Sequence, residues 1–135
     1  MKKAGPLLGW GILVGVMFGG GDGAPALADK AFFDEFVALY VKPESPDPKH
    51  RALATMVEKV KCNVCHVGLN RKRRNAYGEA LAQLLSRKTD TENKAKIQAA
   101  LKKVAQQRSN PKDPNSPTFG ERIEAGKLPA GEPEG

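Results

Sequence analysis

The chain has few of the residues from which metal and redox sites are built. In 135 residues there are 2 cysteines and 2 histidines, and none of its 3 methionines lies beyond position 56. Two cysteines cannot form a disulfide framework. For a tetrahedral zinc site they leave His50 as the only other strong nitrogen donor beside His66. No stretch reads convincingly as a strand, which removes the βαβ setting a thioredoxin-like pair would need. Aromatic residues make up 6% of the chain and do not interleave with the basic ones. With no known binding motif either, nothing points to nucleic acid. The one long apolar stretch, Leu7 to Phe18, is broken by glycines and falls short of the ~20 residues that span a bilayer.

That stretch has another reading. Lys2 and Lys3 precede it, and Ala26-Leu27-Ala28 follows as a small-x-small cleavage site. Residues 1–28 read as a secretory signal peptide cut after Ala28, which places the protein in the periplasm or otherwise outside the cytoplasm. An uncleaved anchor is the weaker reading, and no cysteine at the cut supports a lipoprotein. Without Lys2, Lys3 and Asp22, 20 basic side chains remain of 22 and 14 acidic ones of 15, a net +6. Such a balance suits an acidic partner surface.

Both cysteines fall in one stretch, Cys62-Asn63-Val64-Cys65-His66. C-x-x-C-H is the spacing of a c-type haem attachment site. Two thiols add across the two vinyl groups of haem, and the adjacent imidazole is then held under the macrocycle as proximal iron ligand. A redox pair, a local disulfide and a zinc half-site remain alternatives. A disulfide over so short a loop would constrain little of the unfolded chain. Export favours haem, since c-type haem is attached outside the cytoplasm.

The rest of the pattern is helical. Phe32, Phe33, Phe36, Val37 and Tyr40 recur at three- and four-residue spacing, with Asp29 as N-cap and Pro43 as terminator. This aromatic stripe is either a wall for haem or ordinary core. Asp47 and Pro48 start a second helix, whose apolar positions Leu53, Met56, Val57 and Val60 lead towards Val64 and the motif. Gly68 and Asn70 suit a turn. Asn75 caps a third helix carrying Tyr77, Leu81, Leu84 and Leu85. Gly78 inside it suggests a close backbone approach to haem or to another helix. Ile97, Leu101, Val104 and Ala105 mark a fourth helix. Ser116-Pro117 can start a short last one, stopped by Gly126. The expected arrangement is all-α: one domain over 29–128, then a flexible tail over 129–135.

Cys62 to Gly68, together with Arg74-Asn75-Ala76-Tyr77-Gly78-Glu79-Ala80-Leu81, resembles a group of small secreted single-haem c-type cytochromes. The similarity is good over Lys61 to Leu81 and only general elsewhere. It implies four to five helices wrapped round one covalent haem c, thioethers at Cys62 and Cys65, and iron bound by His66. It also implies electron transfer as the default role. The expected protein is a carrier rather than an enzyme. Its basic charge suits a redox partner protein with an acidic docking face, and the short apolar run predicts no stable membrane span.

The chain departs from such cytochromes at the second axial ligand, which they take from a methionine well downstream of the motif. Here only Met56 remains in the expected mature chain, with His50 as the other spare donor. If the second helix runs straight into the motif, Met56 lies ~9 Å and His50 ~24 Å back along its axis. Neither then reaches the far side of the iron, and Met56 sits in register with core residues. Met56 is the candidate sixth ligand if the helix breaks. Tyr77, a buried lysine, or an open position that binds a small molecule are the alternatives. The run Arg71-Lys72-Arg73-Arg74 has three readings: anchors for haem propionates, a docking face for an acidic partner, or a solvated loop.

Overall fold

A computed structural model describes residues 24–133 except 70, with side chains from 30 onward. The expected signal segment lies outside the described residues as far as position 23. Among those described there are five α-helices, one 3-10 turn and no strand. Helix α1 spans Ala24–Tyr40 and α2 spans Pro48–Val60, followed by the 3-10 turn Lys61–Val64. Then come α3 over Ala76–Ala82, α4 over Lys94–Ala105 and α5 over Phe119–Glu124. No described helix is long and apolar enough to cross a membrane.

Helix starts follow local chemistry. Asp47 caps α2 by accepting from the Lys49 N–H, with Pro48 in the first helical position, where its missing N–H does no harm. Asn75 caps α3 and Asn93 caps α4. Thr118 and Glu121 form a capping box at α5. Asp29, however, is not an N-cap. The backbone is already helical from Ala24, so Asp29 lies inside α1. In the full-length chain Ala26, Leu27 and Ala28, good helix formers, place the helix start upstream of Asp29.

α1 packs chiefly against α4, and α4 also meets α3 and α5. Leu53, Val57, Ile97, Leu101, Val104 and Ile123 are buried between these elements. Three aromatic rings tie the core together: Tyr77 meets Phe36 at 5.9 Å and Phe119 at 5.2 Å between centroids, both edge-on. Pairs of this geometry add to the stabilisation from burial. The Tyr40 hydroxyl donates to the Leu101 carbonyl at 3.2 Å. Glu35, nearly buried, accepts from Gln98 at 2.8 Å, which offsets the loss of water around its charge. Pro129, where the flexible tail is expected to begin, is itself fully buried, as is Leu128. The packed part of the chain therefore reaches past 128.

Candidate functional site

Helix α2 does not run straight into the cysteine motif. It ends at Val60, and Lys61 turns the chain with φ 48° and ψ −113°. A side chain there is strained. The turn swings Cys62 off the axis of α2 into the short 3-10 segment, where the Cys65 N–H and the His66 N–H both bond the Cys62 carbonyl, at 3.2 and 3.0 Å. The premise of a continuous helix is thus corrected. Local periodicity could not show the break, because Val60 and Val64 keep the apolar spacing across it.

Cys62, Cys65 and His66 all line one cavity of about 820 Å³, bounded by α1, α2, the 3-10 turn and α3. Small-molecule and cofactor sites run from ~300 to 1,000 Å³. Phe32, Phe33, Val37 and Val41 make one apolar wall; Leu81, Ala82 and Leu85 make another. The aromatic stripe of α1 is divided between the two roles expected for it. Phe36 goes into the sealed core, and Phe32 and Phe33 face the cavity. The rim is basic: Lys30, Arg51, Lys61, Arg71, Arg74 and Arg87 line it, against the single carboxylate of Glu58.

Behind the motif the chain doubles back. His66 and Arg74 form an antiparallel bridge, and the Val67 N–H donates to the Arg73 carbonyl at 3.0 Å. The same carbonyl lies 3.3 Å from His66 Nδ1. A carbonyl can only accept, so Nδ1 is the donor here, and in the neutral ring Nε2 then keeps its lone pair. Metal-binding histidines are oriented in this way. Two residues of the basic run, Arg71 and Arg74, are brought to the cavity, and Arg74 also lies 3.7 Å from Glu79.

Asn75 does more than cap α3. Its side-chain N–H₂ donates to the carbonyls of Asn63 at 3.3 Å and Val64 at 3.0 Å, and its main-chain N–H donates to the Cys65 carbonyl at 3.0 Å. Gly78 faces that same peptide: a Cβ on it would stand 2.1 Å from the Cys65 carbonyl oxygen. The close approach expected at Gly78 is to the backbone of the cysteine motif itself.

The other candidate ligands lie elsewhere. Met56 is half-buried against the core and is not among the residues lining the cavity. His50 shares a hydrogen bond with the Ser45 hydroxyl at 2.8 Å and also lies outside the lining. Tyr77 is in the core, and its hydroxyl is buried without a hydrogen-bond partner. Burial pushes that hydroxyl well above the ordinary tyrosine range, and the neighbouring Cys65 and Tyr40 push the same way. Cys62 and Cys65 are not joined in a disulfide.

Arg51, Thr55, Glu58 and Arg87 line the cavity without having been singled out in the sequence. The first three had a signal. Positions 51, 54, 55 and 58 repeat at helical spacing, so α2 presents one face to the cavity. Arg87 follows α3 in an irregular stretch with no such signal.

These features fit a haem. The donor set is two thiols and an imidazole with Nε2 available, beside an apolar cavity with a cationic rim. The site also has a glycine, Gly78, that lets α3 press on the cysteine segment. Comparison with known protein families, with curated proteins and with solved structures gives no match.

Proposed function

We propose that this protein is an exported monohaem c-type cytochrome that carries electrons, with haem c held covalently at Cys62 and Cys65 and its iron bound by His66. The observation that carries the reading is the convergence of all three side chains on one apolar cavity, with His66 Nδ1 tied to the Arg73 carbonyl. Bound haem supplies an iron that shuttles between two oxidation states. The protein's own residues do the rest. The two thiols anchor the group, and His66 presents Nε2. Phe32, Phe33, Val37, Leu81 and Leu85 exclude water, which helps set the potential. Arg51, Arg71, Arg74 and Arg87 offer forked donors to carboxylates such as the haem propionates. The excess of basic groups steers an acidic redox partner towards the cavity mouth. On this reading the protein is a carrier, not an enzyme. Its signal segment is removed at Ala28, and it acts in the periplasm or an equivalent compartment without a membrane span.

A second reading is favoured by one observation: Met56 and His50 both lie away from the cavity lining. Neither would then supply a second donor to a haem held by Cys62, Cys65 and His66, and the protein would be a haem-based small-ligand binder or sensor with an open sixth iron position.

One experiment tests the first reading and separates it from the second. The full chain is matured in a host with a c-type haem attachment system and extracted with acid-acetone. Haem that stays with the protein supports the proposal; its complete removal overturns it. Spectra in both oxidation states, with and without carbon monoxide, then decide between the roles. A low-spin spectrum unresponsive to carbon monoxide indicates a carrier. A new band on addition indicates a ligand binder.

A further inference from the structure

Building on the haem reading above, we infer that Asn75 is the positioning residue for haem attachment, a clamp that holds the Cys62–His66 segment in the shape in which both thiols react. The segment is poorly placed to hold itself. Its first part belongs to the four-residue 3-10 turn Lys61–Val64, which begins at the strained Lys61, and of its side chains only Val64 is fully buried. Short 3-10 turns end with carbonyls that lack partners within the helix. Here the carbonyls of Asn63, Val64 and Cys65 all receive their donors from Asn75. The side-chain oxygen of Asn75 meanwhile accepts from the Gly78 N–H at 2.9 Å. One amide therefore fixes the two residues between the cysteines and starts helix α3.

Few side chains can do both. Aspartate keeps the acceptor but has no N–H to give, serine has a single donor, and glutamine is longer by a methylene. The clamp spans 11 and 12 residues of sequence, so it forms only when α3 docks. Gly78 permits that docking, because its Cβ-less face meets the Cys65 peptide.

The chemistry explains why shape matters. Each thiol adds across one vinyl group: sulfur bonds one carbon, the thiol proton passes to the other, and no oxidant or reductant is consumed. Two such additions on one rigid macrocycle require both sulfurs to be correctly spaced at once. Misplacement of about 1 Å in such a geometry costs on the order of 100-fold in rate.

The test compares Asn75→Asp with Asn93→Asp in the full chain, matured in the same haem-attaching host. Asn93 is also a helix N-cap, accepting from the Lys96 N–H at 3.0 Å, and belongs to α4, away from the motif. Aspartate preserves the cap at both positions, and the side-chain N–H₂ it removes is bonded to the cysteine segment only at 75. The expected result for Asn75→Asp is a fall of about tenfold in protein carrying both thioethers. The remaining haem shows the shifted absorption of a single thioether, and amide exchange at Cys65 and His66 quickens by about tenfold. Asn93→Asp keeps the wild-type yield and spectrum. Equal double attachment in the wild type and Asn75→Asp, or an equal loss in Asn93→Asp, overturns the inference. A wild type that carries no covalent haem overturns the function proposed above instead, and unchanged exchange at Cys65 and His66 in Asn75→Asp then overturns the clamp by itself.

Discussion

Helix α1 has two apolar faces with different fates. Phe36 is enclosed, 5.3 Å from the Tyr40 ring and 5.9 Å from Tyr77 between centroids. Phe33, three residues earlier, lines a cavity that the chain's own side chains do not fill. The residue type is the same and so is the helix. What differs is the partner: the inner face is completed by α3 and α4, whereas the outer face borders open volume. A core closes on itself, but a cavity wall is stable only to the extent that the remaining core can hold it.

The largest expected effect breaks this contrast directly. In protein prepared without haem, Phe36→Ala should lower stability in denaturant by about 3–5 kcal/mol, the cost of emptying a packed aromatic site. Phe33→Ala should cost about 1 kcal/mol or less, because its ring already borders open volume. If haem fills the cavity as proposed, the gap should narrow in the loaded protein as Phe33 gains a partner. Equal losses without haem would show that both rings belong to one core.

A smaller effect sits where the two regions meet. Tyr77 belongs to the sealed core, yet its hydroxyl lacks a partner and lies in the electrostatic reach of Cys65. Removing an unsatisfied buried hydroxyl relieves its desolvation cost, so Tyr77→Phe should raise stability without haem by about 1 kcal/mol. A loss, measured by the same denaturation, would mean that the hydroxyl is engaged and that Tyr77 serves the cavity as well as the core.

The smallest effect lies outside both regions and calibrates them. Asp90 accepts from Lys96 at 2.8 Å and from the Ser86 N–H at 2.7 Å. These bonds, the Lys96 one foremost, hold its carboxyl below the ordinary aspartate range. A carboxyl lowered by folding stabilises the protein above its unfolded value of about 4, and that contribution is lost as pH falls through the folded value. Asp90→Asn should therefore lower the melting temperature slightly at pH 7, with the difference from wild type shrinking from about pH 4 downward. A difference that persists undiminished in acid would assign the effect to packing.

Much of the fold was legible because it is locally encoded. Asp47 with Pro48 and Asn75 mark helix starts by side-chain chemistry that acts within one turn. The apolar repeats of α2, α3 and α4 fall where the buried residues lie. At the site, Cys62, Cys65 and His66 stand out together by their C-x-x-C-H spacing, and the three line one cavity. Other features were not legible. The reversal at Lys61 breaks no visible pattern, and Leu84 and Leu85 fall in register with α3 although the helix stops at Ala82. Nothing about Asn75 as a helix cap announces three bonds to a segment 10 to 12 residues earlier.

The sequence by itself therefore determined most of the helix positions, the all-α character and the adjacency of Cys62, Cys65 and His66, since propensity, capping and short spacings act over a few residues. Only the tertiary structure decided which phenylalanines became wall and which became core. It also decided which arginines reached the cavity, and it left Met56 outside. Those outcomes depend on docking between elements far apart in the chain, where the partner of a side chain is chosen by packing and not by its neighbours in sequence.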